Sequence, residues 1–428
     1  MSPQKNAARR GPKNTGMRRK TAPNPTVPNS SKSPATTAQP QGRKPCPLAG
    51  RCGGCQLQNM EYTRQLRWKQ GLVQRLLGRY GPVSPIIGME NPFHYRCKVQ
   101  AAFGVTRKGE VISGVYQAST HRIVPVENCL IEDETADAII GTIRSLCADF
   151  RIIPYQEDSG AGFLRHVLVR RGFHSGQVMV VLVAASPILP SKNNFVRALR
   201  QRHPEITTIV LNINRRNTSM VLGEQDKVLF GPGYIEDSLC GCVFRISPQS
   251  FYQVNPVQTE VLYRKAVELA GLTGKETVID AYCGTGTIGL VAAKSAELVV
   301  GVESNPDAVR DAVANARRNN AGNARFFCAD AGEFMRDMAQ DGEQADVVFL
   351  DPPRAGSDER FLSSLVTLGP RRVVYISCNP ATQARDLAYL TRHGYQVTAL
   401  QPVDMFPFTN HVENIALLSN AAIKSSAV

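Results

Sequence analysis

At 428 residues the chain exceeds one ordinary domain, and two or three are expected. A hydrophobic fraction of 43% is that of a globular protein, and no apolar run reaches the roughly 18 residues of a membrane span. The net charge of +14 favours a polyanionic partner, while eleven cysteines without an N-terminal apolar segment fit a reducing, cytoplasmic setting.

Residues 1–45 hold ten Lys or Arg and no acid, set among Pro, Ser, Thr, Asn and Gln. Such a stretch cannot bury enough apolar surface to offset its ordering entropy, so a disordered basic arm is expected. It reads either as an arm adding counterion-release affinity for RNA or as a solvated tail. The remainder is near charge balance, since the arm carries ten of the fourteen net charges.

Residues 46–248 show a mixed pattern and are expected to form one mixed α/β region. Cys46-x5-Cys52-Gly53-Gly54-Cys55, with Cys129 in Glu127-Asn128-Cys129-Leu130, offers four thiolates. Four cysteines suit zinc or an iron–sulfur cluster, and spacing leaves both open. Gln65 to Gly78 reads as a basic amphipathic helix, and residues 176–183 and 207–213 read as buried strands. Cys97, Cys147, Cys240, Cys242, Cys283 and Cys328 lack ligand spacing and read as core or turn residues.

From residue 249 to 428 the order becomes regular. Asn255 reads as an N-cap with Pro256 at the first helical position, and apolar residues recur at helical spacing through Leu269. Strands are expected at Thr277–Asp280, Leu298–Val302, Ala324–Cys328, Asp346–Leu350 and Arg372–Ile376, with helices from Gly286 and near Pro306–Asn319. This alternation predicts the α/β class with a doubly wound, largely parallel, Rossmann-like sheet. Asp280-Ala281-Tyr282-Cys283-Gly284-Thr285-Gly286-Thr287-Ile288-Gly289 joins the first of these strands to its helix. Its glycines let the backbone approach a ligand, and the helix N-terminus offers free N–H groups. Glu303, ending the next strand, is placed to accept hydrogen bonds from a ribose diol, and Asp330, ending the third, is expected near an adenine. Gly284, Gly286 and Gly289 fall on the dinucleotide spacing, but Asp-x-Tyr-Cys is closer to a class I methyltransferase turn. S-adenosylmethionine is therefore the first expectation and a nicotinamide dinucleotide the second.

Three further segments each follow a run that reads as a buried strand: Asp351-Pro352-Pro353-Arg354, Ser377-Cys378-Asn379-Pro380 and Asn410-His411-Val412-Glu413-Asn414. In an open α/β sheet, groups at the carboxyl ends of strands converge on one crevice. Cys378 leads into a helix, whose N-terminus is expected to lower the thiol pKa and favour the thiolate. Thiolate addition at carbon 6 of uracil would make carbon 5 nucleophilic, and Glu413 would then take the carbon 5 proton. Arg354 stands where amine-methylating enzymes place an aromatic residue after the two prolines, which argues against amine methylation. His411 reads as a structural hydrogen-bonding group, with assistance to Glu413 as its other role.

Together with Ser250-Phe251-Tyr252-Gln253-Val254-Asn255-Pro256, these segments resemble the RNA uracil-5-methyltransferases, from the cysteine cluster to the end of the chain. The resemblance implies a class I, S-adenosylmethionine-dependent enzyme with Cys378 as nucleophile and Glu413 as base. It places Gln253, Tyr282, Glu303 and Asp351, and further Thr287 and Asp330, against the cofactor. It also implies a four-iron–four-sulfur cluster on Cys46, Cys52, Cys55 and Cys129, as in members acting on ribosomal RNA. Members acting on the transfer RNA T-loop usually lack the cluster. The expected activity is thus formation of 5-methyluridine in 23S ribosomal RNA, with the target base flipped out. Transfer RNA is the rival substrate; cytosine-5 methylation and a non-catalytic RNA-binding iron–sulfur protein are the rival functions. Many ribosomal RNA members begin with a small β-barrel, whereas only the basic arm precedes Cys46 here. A monomer is the default.

Overall fold

The computed structural model describes residues 46–117, 120–216 and 220–423, so the basic arm expected over 1–45 lies outside them. Helix α1 (Tyr62–Leu77) buries Tyr62, Gln65, Lys69, Val73 and Leu77 along one face. It begins three residues before the sequence pattern indicates, because Tyr62 belongs to that buried face.

Strands β1 (Lys98–Val105), β2 (Val111–Tyr116) and β3 (Ile123–Pro125) form an antiparallel meander. Helix α2 (Glu134–Asp149) follows, its N-terminus capped by the Asp133 carboxylate accepting from Ala136 N. Then come β4 (Leu164–Arg171), β5 (Val178–Ala184), helix α3 (Lys192–Arg202), β6 (Ile206–Ile213) and β7 (Gln225–Phe230). The seven strands lie in the order β3-β2-β1-β4-β5-β6-β7, and only β5 and β6 pair in parallel, with α3 as their crossover. The unbroken apolar run of β5 has a simple cause: the strand is buried along its whole length.

A hairpin of β8 (Ile235–Leu239) and β9 (Cys242–Ile246) turns at Cys240 and Gly241, both at positive φ (51° and 72°). Period-two alternation turns Cys242, Phe244 and Ile246 inward, into the same core as helix α4 (Pro256–Ala270). Asn255 caps α4 by accepting from Gln258 N, with Pro256 in the first turn as the sequence indicates.

The second sheet is built from β10 (Thr277–Ala281), α5 (Thr287–Ala292), β11 (Leu298–Glu303), α6 (Pro306–Arg318), β12 (Ala324–Cys328), α7 (Ala331–Gln340) and β13 (Val347–Leu350). It is completed by α8 (Glu359–Leu368), β14 (Arg372–Ser377), α9 (Pro380–Arg392), β15 (Tyr395–Val403) and β16 (Glu413–Asn420). The five expected strands all form, with ends within one residue of the expected ones. Strand order is β12-β11-β10-β13-β14-β16-β15; the first five run parallel, and β16 returns antiparallel beside β14. Alternate residues feed two cores. Val278, Val299, Phe349 and Ile376 face α4, whereas Ile279, Val300, Leu350 and Tyr375 face the side covered by α8 and α9. Val73 and Leu77 of α1 join this second core, so the earliest helix packs on the latest sheet. Among the described residues no helix is long and apolar enough to cross a membrane.

A buried ion pair ties α1 to that sheet. Lys69 Nζ donates to Asp404 Oδ1 at 2.6 Å and to Phe406 O at 2.9 Å, and both side chains are fully buried. Burial lowers the Lys69 pKa, and Asp404 opposes that shift. Replacing Lys69 alone with Met leaves a buried carboxylate uncompensated and is expected to cost about 3–5 kcal/mol in urea unfolding. The double variant Lys69→Met/Asp404→Leu should recover most of that loss.

Candidate active site

The glycine-rich turn after β10 is shaped by backbone geometry. Tyr282, Gly284 and Gly286 all have positive φ (65°, 54° and 80°). A Cβ at Gly286 would lie 2.8 Å from the Phe326 ring, whereas one at Gly284 would meet nothing within 4 Å. The turn is therefore packed behind and open in front, as close approach to a ligand requires. Asp280 Oδ2 accepts from Gly289 N at 2.7 Å, which fixes α5 to the strand end. Glu303 holds the turn from the neighbouring strand: Oε2 accepts from Gly284 N at 3.1 Å, and Oε1 from Asn305 N at 2.8 Å. Ser304 Oγ also donates to Oε1 at 3.2 Å, so of the carboxylate's about four acceptor positions one remains for a ligand hydroxyl. A cleft of about 630 Å³ opens here, lined by Gly284, Thr285, Glu303, Ser250, Phe251 and Leu222 among others. Asp330 is exposed, and its Oδ1 accepts from Glu333 N at 2.9 Å, so it caps α7. Tyr282 stacks obliquely on Phe361, with ring centroids 4.9 Å apart.

Gln253 and Thr287 meet through a residue the sequence did not single out. The Tyr263 hydroxyl lies 3.2 Å from Thr287 Oγ1 and also bonds the Gln253 side chain. As a buried tyrosine on α4 it carries no sequence signal separating it from a core residue. The first sheet holds the Gln253 segment from behind. Arg170 Nη2 donates to Ser250 O at 2.6 Å and Pro248 O at 3.2 Å, and Cys97 N donates to Val254 O at 2.8 Å.

The reacting end lies at the carboxyl edge of β13 and β14, next to the point between β10 and β13 where the strand order reverses. Ala281 pairs with Leu350, so Tyr282 and Asp351 leave the sheet side by side. Ser377 pairs with Asn414, which sets Cys378 beside Glu413. Glu413 does not follow a strand, as the sequence suggested, but begins one. Because β16 is antiparallel, its first residue reaches the same edge as the carboxyl ends of the parallel strands. Burial pushes the Asp351 carboxyl up to about 7. Burial also raises Glu413 well above the carboxylate range; Asp351 adds to the shift and Arg354 opposes it. Asp280 is likewise pushed up to about 7 by burial. The expectation of a lowered Cys378 pKa is corrected. Burial, Glu413 and Asp351 push the thiol up to about 11, and only Arg354 pulls it down. Desolvation and two nearby acids outweigh the helix N-terminus, whose cap Asn379 already serves Ala381 N. Arg354 Nη2 lies 3.3 Å from His411 Nε2, so the histidine flanks this group by a hydrogen bond.

Three of the clustered cysteines precede α1. Cys52 Sγ accepts from Gly54 N at 3.5 Å. Burial pushes both Cys55 and Cys129 up to about 12; Cys52 and Cys46 contribute at Cys55, and Glu132 at Cys129. Cys55 and Cys129 pack against one small core of Tyr62, Met89, Tyr95, Ile131 and Phe408. The fold thus brings Cys129 to the same small core as Cys55, 74 residues earlier in the sequence. Among the described residues, no group of three or more His, Cys, Asp or Glu side chains is placed to hold a metal ion.

The family model described as tRNA (Uracil-5-)-methyltransferase matches residues 61–421. The chain belongs to this family. It is an RNA methyltransferase of the class I, S-adenosylmethionine-dependent type. An uncharacterized RNA methyltransferase of Halalkalibacterium halodurans is 46% identical over 379 residues, covering 87% of this chain and 82% of the relative. One from Caldanaerobacter subterraneus subsp. tengcongensis is 44% identical over 377 residues, with 87% and 83% covered. The crystal structure of Pyrococcus abyssi tRNA (uracil-54, C5)-methyltransferase in complex with S-adenosyl-L-homocysteine is similar at a TM-score of 0.72. It shares 29% identity, with 86% of each chain covered.

The methyltransferase's buried acids make its stability pH-dependent. Asp351 binds its proton more tightly in the folded chain than the unfolded value of about 4. Its contribution to stability therefore falls as pH rises from about 4 to about 7, and the full penalty stands above that. Thermal unfolding of cofactor-free Asp351→Asn should show a gain over the parent that grows across this window and levels off near pH 8.

Proposed function

We propose that this methyltransferase forms 5-methyluridine in 23S ribosomal RNA, in the cytosol, through a covalent adduct between Cys378 and uracil carbon 6. The observation that carries the covalent reading is the pairing of Ser377 with Asn414, which sets a thiol beside a buried carboxylate at the carboxyl edge of β14. Gln253, Tyr282, Glu303, Asp351 and Thr287 would line the cofactor, with Asp330 at its outer end. Bound there, S-adenosylmethionine supplies an electrophilic methyl group. Cys378, as its thiolate, adds to carbon 6, and the displaced electron pair is drawn toward the carbon 4 oxygen, leaving carbon 5 nucleophilic. Once carbon 5 carries the methyl group, Glu413 takes its proton; the carbon 5–carbon 6 double bond re-forms and the thiolate leaves. A desolvated carboxylate is a stronger base than one in water, which suits removal of a proton from carbon. Arg354 offsets the two acids that oppose the thiolate.

Cys46, Cys52, Cys55 and Cys129 would hold a four-iron–four-sulfur cluster, bracing the segment before α1. All-sulfur donors, an N–H directed at Cys52 and an apolar wall behind Cys55 and Cys129 suit such a group. This donor set favours the ribosomal substrate. Transfer RNA is the second reading, favoured by the similarity to the Pyrococcus enzyme.

Anaerobically purified protein with S-adenosylmethionine and equal amounts of unmodified 23S ribosomal RNA and transfer RNA, followed by mass-spectrometric mapping of 5-methyluridine, tests the reading. Label in ribosomal RNA upholds it. Label in transfer RNA alone keeps the chemistry and overturns the substrate. Cys378→Ala is expected to lower turnover by about 10³-fold or more while retaining cofactor binding. Glu413→Gln should instead accumulate a protein–RNA adduct visible on a denaturing gel, because the carbon 5 proton stays in place.

A further inference from the structure

The outer face of α1 takes no part in the chemistry above, yet its composition is one-sided. The sequence Tyr-Thr-Arg-Gln-Leu-Arg-Trp-Lys-Gln-Gly-Leu-Val-Gln-Arg-Leu-Leu contains no acid. Lys69 is buried against Asp404, whereas Arg64, Arg67, Trp68 and Arg75 are exposed and recur at three-, four- and seven-residue intervals. These intervals place them on one face of the helix. Gly71 lies within the stripe, and Arg75 Nη1 comes within 3.5 Å of where its Cβ would be, so Arg75 reaches back toward Trp68.

Among the described residues, Arg64, Arg67 and Arg75 make no ion pair. Arg144, Arg165, Arg216, Arg264, Arg360 and Arg385 elsewhere each have a carboxylate partner. Like charges one turn apart repel and destabilise a helix. An anionic occupant would relieve that repulsion. An exposed indole among arginines adds a flat surface on which a base can stack.

The opposite face of α1 is anchored to both elements that carry the reacting residues. Gln65 Oε1 accepts from Phe408 N at 2.8 Å, and Lys69 holds Asp404 and Phe406, in the segment leading to Glu413. Just beyond the helix, the Tyr80 hydroxyl donates to Ala384 O of α9 at 2.8 Å, and α9 follows Cys378. The exposed stripe is thus about one helix diameter, ~10 Å, from those elements.

We propose that the Arg64–Arg67–Trp68–Arg75 face of α1 is a docking surface for the RNA substrate, its arginines meeting phosphates flanking the target nucleotide and Trp68 stacking on a base. The inference rests on the reading of RNA as substrate but not on which uridine is methylated. Trp68 is the chain's only tryptophan, so emission excited beyond the absorption of the twelve tyrosines reports on this face alone. Titrating the full chain with an unmodified 23S ribosomal RNA fragment should quench that emission, saturating at the affinity found by filter binding. Arg64→Gln/Arg67→Gln should weaken RNA binding about tenfold and reduce the salt slope by about two, with S-adenosylmethionine affinity unchanged. RNA binding that leaves Trp68 emission unchanged, or a double variant with the parent's affinity and salt slope, would overturn the surface. Quenching without methyl transfer to either ribosomal or transfer RNA upholds the surface and overturns the uracil-methylation reading instead.

Discussion

The site is organised by an electrostatic constraint: Asp280, Asp351 and Glu413 are acids placed where water is scarce, with Arg354 as the cation that acts on the thiol and on Glu413. Mutual repulsion and desolvation both raise carboxyl pKa values, so the group holds its protons more tightly than the same acids in water. Asp351 and Glu413 raise the thiol pKa in turn. These neighbours therefore favour the thiol of Cys378 over a preformed thiolate. A cationic ligand entering beside Asp351 would change that balance directly, since a nearby positive charge favours every ionised form at once.

That arrangement depends on strand direction. Parallel strands alone would put Asp351 and Cys378 at one edge but send the next strand's first residue to the far side. Returning β16 antiparallel brings Glu413 to the edge by its N-terminal end. The segment that makes this return, from Asp404 to Val412, has no regular structure of its own and is held by Lys69, Gln65 and Tyr95, whose hydroxyl donates to Pro407 O at 3.0 Å. Residues from the first quarter of the chain thus set the approach to the base.

The parallel core was legible in the sequence because four of its five parallel strands are buried along most of their length, and helices such as α4 and α6 start with a recognisable cap, Asn255 and Asn305 before prolines. The places of Asp351 and Cys378 at strand ends were legible because short polar motifs follow apolar runs there, whereas Glu413 opens its strand and its place depends on the direction of β16. What escaped were features fixed by distant partners. Tyr263 resembles any core tyrosine until the hydroxyl of Thr287 is placed next to it. Lys69 resembles the other basic residues of α1 until Asp404, 335 positions later, is packed against it. The direction of the Cys378 shift depends on two acids that spacing cannot bring near, so a local rule about helix ends gave the wrong sign.

Arg170 reaches from the first sheet to the carbonyl oxygens of Pro248 and Ser250, and Cys97 N does the same at Val254. Every one of these bonds ends on main chain. The grip is therefore indifferent to which side chains the segment carries. The identity of the residue offered to the ligand at position 253 can change while its placement is inherited unaltered from the sheet behind it.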